Sequence, residues 1–411
     1  MIEVFDARQR LLKQLQPVEK EQVTIRKPVR RVLAEPILAT SSSPSFNNSA
    51  MDGFAVISKD VVSASEVKPV ALAVVADIPA GKLVETELLT GQAMRVMTGA
   101  PLPPGSDAVV PIEHTNHSAH VGNTSLPSEV KIYNPVHEGE NIRFQGEDFS
   151  IGDKLLEKGQ RLRPQDVGIL AMVGKTEFLV FRRPKIGLIS TGNELLPIES
   201  KLQLGKIRET NSHTLSPLVE SCGGEVENLG IVPDRENDIR DAFDNLIKSK
   251  VDLIVSSAGV SVGVFDFVRK VVEDHGQLNF WRVNMRPGKP LAVGRFRNVP
   301  FVGLPGNPVS AFVSFEVFLR PAINYLAGVS NWQRKTARAV LLDPVTSDGR
   351  ESYLRAILKL REGTYFASLT GHQGSGNLFS LVLSNGLIIV PAGVKSLQAG
   401  SEVEAWPLSW E

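Results

Sequence analysis

Leu253-Ile254-Val255-Ser256-Ser257-Ala258-Gly259-Val260-Ser261-Val262-Gly263-Val264-Phe265-Asp266 is the stretch from which the fold is read. It opens as a short apolar run, the pattern of a buried parallel strand. It then breaks into a loop of small residues that includes Ser257, Gly259, Ser261 and Gly263. Small side chains let several backbone N–H groups turn toward one anion and let that anion come close. Asp266 stands where the next helix should begin. A carboxylate beside a phosphate repels it unless a divalent cation bridges the two. One reading is therefore a phosphorylated ligand held with a metal ion. The plainer reading is a strand, a tight turn and Asp266 as a helix N-cap.

The neighbouring sequence alternates strand and helix from Pro184 onward. Lys185–Ser190 reads as a strand running into Thr191-Gly192-Asn193-Glu194. Asn211–Cys222 reads as a helix capped by Asn211 or Ser212, and Glu225–Val232 as a strand followed by Asp234. Ile239, Ala242, Phe243, Leu246 and Ile247 mark the inward face of the next helix. A further strand, Val299–Gly303, leads to Leu304-Pro305-Gly306-Asn307-Pro308-Val309-Ser310, with Asn307 as N-cap and Pro308 in the first helical position. This alternation predicts a doubly wound parallel sheet, an α/β fold whose ligand crevice lies at the carboxyl ends of the strands. Glu194, Asp234, Asp266 and Ser310 all fall at such ends, and their convergence is more specific than any one of them. Between these elements, residues 280–291 read as two short strands joined through a Pro-Gly turn. Arg282, Arg286 and Lys289 give this segment three cations. It is either a solvated turn or, beside an anion crevice, a clamp for phosphate or another oxyanion.

The flanks are organised differently. Val4, Phe5, Ala7, Leu11, Leu12 and Leu15 have helical spacing. Residues 41–49 form a turn-rich crossing. Beyond it, Asp52-Gly53 reads as a turn opening a strand, and short apolar runs at 70–76, 93–98, 108–112 and 130–133 predict a small all-β domain. His114, His117 and His120 would share a face only on a helix, and their loop composition argues for a surface loop without metal. A second polar crossing spans 141–153, and Leu162–Val173 reads as a helix. After a boundary at 328–334 the tail returns to short strands, with a small-residue loop at Gly371-His372-Gln373-Gly374-Ser375-Gly376. The expected division is 1–45 with 142–180 as a discontinuous N-terminal domain, 46–141 and 329–411 as two small β domains, and 181–328 as the doubly wound domain.

A chain of 411 residues exceeds one core. Its 45 Lys and Arg balance its 45 Asp and Glu, so no overall field draws it to nucleic acid or an anionic membrane. The single cysteine, Cys222, rules out an internal disulfide, and its context is the apolar end of a helix stopped by glycine. The amino terminus lacks the pattern of a signal peptide and no apolar run is long enough to span a bilayer. A cytoplasmic location is the expectation.

In order along the chain, eight motifs resemble the MoeA family of molybdopterin molybdenumtransferases, related to the E domain of gephyrin. They are Ser49-Ala50-Met51-Asp52-Gly53, Met97-Thr98-Gly99-Ala100-Pro101, Gly146-Glu147-Asp148 and Ser190-Thr191-Gly192-Asn193-Glu194-Leu195. The remaining four are Ser261-Val262-Gly263 with Asp266, Arg286-Pro287-Gly288-Lys289-Pro290, Gly303 through Ala311, and Gly371 through Ser375. The resemblance implies an enzyme that takes adenylylated molybdopterin, inserts molybdate into its dithiolene and releases AMP, with Mg²⁺ required. It also implies an elongated homodimer whose sites are completed by the β domain of the other subunit. Molybdopterin adenylyltransferase and molybdoenzymes would be transient partners. Carried over by motif, Asp52, Glu194, Asp234 and Asp266 are catalytic acids near the metal and phosphates, with Asp52, Asp234 and Asp266 as metal ligands. Thr98, Arg143, Arg282, Arg286, Lys289, Ser310, Arg355 and Ser375 are candidate ligands for molybdate or phosphate.

Five positions depart from the family pattern. Asn193 stands where Asp is usual, Arg282 and Arg286 where Lys is usual, Ala258 where Gly is usual and Glu209 where Asp is usual. Arg keeps the charge but presents it as a planar fork. Ala258 costs energy if its position needs φ > 0. These departures set beside the enzyme reading a weakened or tungstate-preferring paralogue and a non-catalytic scaffold of the same fold. Without the resemblance, the site reads as a generic nucleotide-phosphate hydrolase.

Overall fold

Alternation of apolar strands with amphipathic helices builds the central layer. The computed structural model describes residues 1–26, 30–83, 85–117, 126–258 and 267–408. The predicted loop residues Gly259, Ser261 and Gly263, with Asp266 and His120, lie outside the described residues. The chain divides into two compact units. The first comprises Met1–Glu35, Glu157–Gly168 and Thr176–Glu411; the second comprises Pro36–Leu156 and Ile169–Lys175.

In the first unit a six-stranded sheet has the order Glu225–Val232, Lys185–Thr191, Leu253–Ser257, Val299–Leu304, Pro290–Phe296, Gly276–Arg282. The first four strands are parallel. The last two each pair antiparallel with the preceding strand, so Pro290–Phe296 alone runs against the rest and the sheet is mixed at that edge. The reason is local. Only Arg297 and Asn298 separate the strand ending at Phe296 from the one starting at Val299, and so short a turn can join only antiparallel neighbours.

Side chains alternate across the sheet. Ile189, Ile254 and Val232 pack with Ile239, Phe243, Val268 and Val271 from the helices Glu236–Lys248 and Phe267–His275. Leu188 and Val255 face the other way, onto Leu215, Leu218, Val309 and Phe312 from the helices Asn211–Ser221 and Pro308–Ser314. Each fully buried Phe or Leu contributes about 2 kcal/mol to holding the layers together. The four parallel strands end at Val232, Thr191, Ser257 and Leu304, and Glu194 and Asp234 follow two of these ends.

The tail forms a closed barrel. Glu351–Arg361 pairs with Thr364–Leu369, that strand with Ala337–Leu341, then Glu402–Pro407, then Gly386–Val390, which returns to Glu351–Arg361. Closure removes exposed strand edges. The segment Met285–Arg286 adds to the start of the Glu351–Arg361 strand in parallel. The cationic segment is thus shared between two sheets: its flanks pair in the central sheet and its middle joins the barrel. A buried carboxylate ties the barrel to the helical layer. Glu316 is 1% exposed. It accepts from Arg320 at 2.7 and 2.9 Å and from Arg334, whose other nitrogen donates to the Pro407 carbonyl at 2.8 Å.

At the amino end, the helix Val4–Leu12 buries Val4, Ala7, Leu11 and Leu12 in the same core and leaves Phe5 exposed. Lys20–Thr24, Glu177–Phe181 and Val32–Leu33 form a three-stranded sheet beside it. Cys222 is buried at its helix end, with Gly223 at φ +82° after it. No helix among the described residues is long and apolar enough to cross a membrane.

The second unit is built on a five-stranded sheet in the order Ala108–Pro111, Gly53–Val56, Gln92–Val96, Val70–Ile78, Glu129–Ile132. The glycine after Asp52 has a steric cause: a Cβ there would lie 2.0 Å from the Val110 carbonyl oxygen. His114 ends a short 3-10 turn, and a His117 ring nitrogen lies 3.1 Å from the Glu129 carbonyl oxygen. Replacing Gly53 by Ala should separate the strands Gly53–Val56 and Ala108–Pro111 and cost about 3 kcal/mol. Thermal unfolding should show a lowered transition, and an unchanged midpoint would refute the close approach.

Candidate active site

Two strand ends carry the acids. Lys185–Thr191 stops where Gly192, at φ +150°, turns the chain. A Cβ on Gly192 would lie 2.7 Å from a Glu194 carboxylate oxygen, so the glycine makes room for the acid beside it. The Glu194 carbonyl accepts from the N–H of Ile207 at 2.9 Å, which fixes the base of its side chain. Asp234 follows the neighbouring strand, Glu225–Val232. Its Oδ1 is buried without a hydrogen-bond partner among the described residues. Burial first, and the Glu194 carboxylate second, push the Asp234 carboxyl above the usual aspartate range. Two carboxylates crowded at one edge, one short of donors, form an arrangement that a cation relieves.

The helix Asn211–Ser221 starts at this edge. Sequence reasoning expected Asn211 or Ser212 to cap it. Instead Thr210 occupies the cap position without a side-chain bond, and Glu209 supplies the carboxylate. Glu209, 4% exposed, accepts from the Ser212 N–H at 2.8 Å, the Ser212 hydroxyl at 2.6 Å and the Ser190 hydroxyl at 3.0 Å. Asn211 is released for another task. Its Nδ2 donates to Ser257 Oγ at 2.6 Å and to the Gly306 carbonyl at 2.8 Å. Ser257 ends the opening strand, and Ala258 after it has φ +73°. The left-handed backbone suspected at this position is present. The Ala258 N–H donates to the Leu304 carbonyl at 3.0 Å, and Gly306 sits so near that a Cβ on it would be 3.1 Å from the Ala258 Cβ.

Cationic side chains lie near the place where the barrel loop at Ser375 touches the start of the helix Pro308–Ser314. Arg355 is 0% exposed. Its Nε donates to Ser380 Oγ at 3.0 Å and one terminal nitrogen to the Gly374 carbonyl at 3.1 Å. The other, Nη1, is buried with no partner among the described residues. Burial first and the nearby Arg286 charge second push the Arg355 guanidinium down to about 10. Arg286 is half-exposed, with one nitrogen 4.0 Å from Asp348, and Lys289 is exposed on the same segment. Gly288 lets that segment approach the helix Pro308–Ser314, since a Cβ on it would be 2.7 Å from Ser314 Oγ. Ser310 is buried in that helix. Asn307 takes the cap position but makes no capping bond; its Nδ2 donates to Ser375 Oγ at 3.1 Å.

In the second unit Asp52 and Thr98 come together. One Asp52 oxygen accepts the Thr98 N–H at 2.7 Å and the Thr98 hydroxyl at 2.8 Å. Arg143 forms a forked pair with Asp148 at 2.8 and 3.0 Å. Among the described residues no three of His, Cys, Asp and Glu gather closely enough to hold a metal ion. Glu209, Asn211 and Asn307 act at the site edge in ways sequence reasoning missed. Short polar residues before a helix read as caps, and only the third dimension shows where they point.

Two measurements check this geometry. Ala258→Gly should remove the left-handed strain and stabilise the chain by about 1 kcal/mol, raising the thermal midpoint by roughly 2 °C; a lowered midpoint would contradict the backbone reading. Asp234 has its folded pKa raised, so its charge costs stability as pH rises through that value. Asp234→Asn should therefore raise the thermal midpoint of the metal-free protein at pH 7 and flatten its pH dependence above the ordinary aspartate range. A drop in midpoint would show that the carboxylate is satisfied.

Comparison with known proteins accounts for most of the chain. Residues 2–174 match the MoeA N-terminal region (domain I and II). Residues 187–325 match a probable molybdopterin binding domain, and 338–408 the MoeA C-terminal region (domain IV). The molybdopterin molybdenumtransferase of Haemophilus influenzae is 35% identical over 415 residues, covering 100% of this chain and 99% of the relative. Molybdopterin molybdenumtransferase 2 of Mycobacterium tuberculosis is 37% identical over 386 residues, 92% of each chain. The crystal structure of the molybdopterin biosynthesis MoeA protein of Pyrococcus horikoshii superposes with a TM-score of 0.83 at 31% identity, over 99% of this chain and 100% of that one. With such relatives covering nearly the whole chain, the chain belongs to the MoeA family of molybdopterin molybdenumtransferases.

Proposed function

We propose that this chain completes the molybdenum cofactor by inserting molybdate into adenylylated molybdopterin with release of AMP. The observation that carries this reading is Arg355, a buried guanidinium with one nitrogen unpaired among the described residues and a second cation, Arg286, pressing on it. A dianionic oxyanion would satisfy both. Arg282, Arg286, Lys289, Ser310 and Ser375 are the further groups for molybdate. Glu194, Asp234 and Asp266 are the acids for the phosphate end, and Asp52, Thr98 and Arg143 are candidates by the family resemblance.

A divalent cation fits the donor set, because the Asp234 oxygen is buried without a donor and its charge is opposed by Glu194. Asp234, with Asp266, would hold Mg²⁺, which when bound offsets the phosphate charge that these acids would otherwise repel. The rest of the chemistry falls to the chain's own residues. Arg355 and the cations around it bind and orient the oxyanion. The small residues at the strand ends admit the phosphoanhydride to backbone N–H groups. Positioning and charge neutralisation then carry the rate, with no covalent enzyme intermediate. The protein acts as a homodimer in this proposal, which a solution mass of twice the chain would support.

The decisive assay supplies adenylylated molybdopterin, molybdate and Mg²⁺ and follows AMP. Release should depend on molybdate, and the same assay with tungstate reads the oxyanion preference. Arg355→Met should fold, yet lower molybdate-dependent release at least about a hundredfold. Equal release with and without molybdate would sink the proposal, as would turnover of ATP without any pterin.

A further inference from the structure

Asn307 opens the helix Pro308–Ser314 with φ −65° and ψ 130°, the extended backbone of a cap residue. Its side chain makes no capping bond. The Val309 N–H, one of the donors that a cap would serve, goes instead to the Ser375 carbonyl at 3.1 Å. The barrel loop therefore caps the helix from outside, and the Asn307 amide reaches back to Ser375 Oγ at 3.1 Å. The two contacts together clamp one residue. On either side the clamp continues. Gly306 accepts from Asn211, which also holds Ser257 at the end of the opening strand. Gly374 accepts from Arg355.

The direction of the Asn307 bond matters chemically. A serine hydroxyl has one proton to donate and two lone pairs to accept with. The amide nitrogen of Asn307 can only donate, so Ser375 accepts from it and keeps its own proton for another acceptor. An anion beside Arg355 is such an acceptor. We propose that Asn307 is a positioning residue of the oxyanion pocket: by donating to Ser375 it turns the serine proton toward the oxyanion and holds the loop that carries Gly374 against Arg355. This rests on the oxyanion reading of the pocket given above.

The substitution that separates this role from helix capping is Asn307→Asp. Asp caps a helix as well as Asn does, so a capping role predicts normal stability and normal binding. In the positioning role the serine would give its proton to the new carboxylate, and the pocket would lose a donor while gaining a negative charge. Calorimetric titration of the full-length protein with molybdate should show Asn307→Asp binding at least tenfold more weakly than the natural chain, with an unchanged or higher thermal midpoint. Asn307→Ala should bind several-fold more weakly. In the AMP assay both should raise the half-saturating molybdate concentration while the maximal rate stays within twofold. Molybdate affinity within twofold of the natural chain in Asn307→Asp overturns the proposal when Arg355→Met abolishes binding in the same titration. If Arg355→Met also binds normally, the pocket itself has been misread, and the two failures are told apart by that control.

Discussion

A guanidinium sealed from solvent with fewer acceptors than donors is the constraint around which the first unit is arranged. Arg355 has 0% exposure, two donors placed and Nη1 unpaired among the described residues. Burying such a charge is costly, and the cost is larger with Arg286 close by. Folding alone would favour an apolar side chain at that position of the barrel. The arrangement persists because other interactions over-determine it. The barrel closes on itself, the Met285–Arg286 segment is held as an added strand on its rim, and the Glu316 network fixes the barrel to the helical layer. Each of these holds a cation where the local chemistry repels it.

The carboxyl edge of the central sheet has the opposite imbalance. Asp234 lacks a donor and is opposed by Glu194, so that edge lacks positive charge while the barrel pocket has an excess. In the proposed function, the phosphates of the substrate and a separate oxyanion would each meet one of these two defects. Two anions brought near each other repel strongly at low dielectric. Giving one a guanidinium pocket and the other an acid edge that accepts a cation lets both be held without direct competition. Asn211 ties the strand end at Ser257 to Gly306, and the next residue, Asn307, bonds to Ser375 on the barrel loop.

The strands and helices of the central layer were legible because period and punctuation agree there. Lys185–Thr191, Glu225–Val232 and Leu253–Ser257 are apolar runs bounded by Gly, Pro or Asp, and the helices between them bury one stripe. The turn at Arg297 and Asn298 was not used, although its length alone requires an antiparallel pair. The acids could be placed because they follow strand ends, a position fixed by topology. Arg355 could be named only through the family resemblance. In the strand Glu351–Arg361 nothing local distinguishes it from an exposed arginine, and its burial follows from barrel closure over long sequence separation. The roles of Glu209, Asn211 and Asn307 were hidden for the same reason, since capping preference is local and their bonding partners are distant.

The departures from the family pattern can now be weighed one at a time. Glu209 is longer by a methylene than the usual acid, yet it satisfies both residues of the helix start and the adjoining strand, accepting from Ser212 and Ser190. Its extra reach is absorbed. Arg286 keeps its charge close enough to Arg355 to lower it, which an ammonium on a flexible stem would do with less fixed direction. Asn193 is exposed, and its carbonyl accepts from Lys206. Ala258 alone carries a plain energetic penalty, at φ +73°. Its methyl group approaches Gly306, whose carbonyl is held by Asn211. The strain therefore falls at the carboxyl end of the opening strand, next to Ser257 and Gly306, which Asn211 holds together.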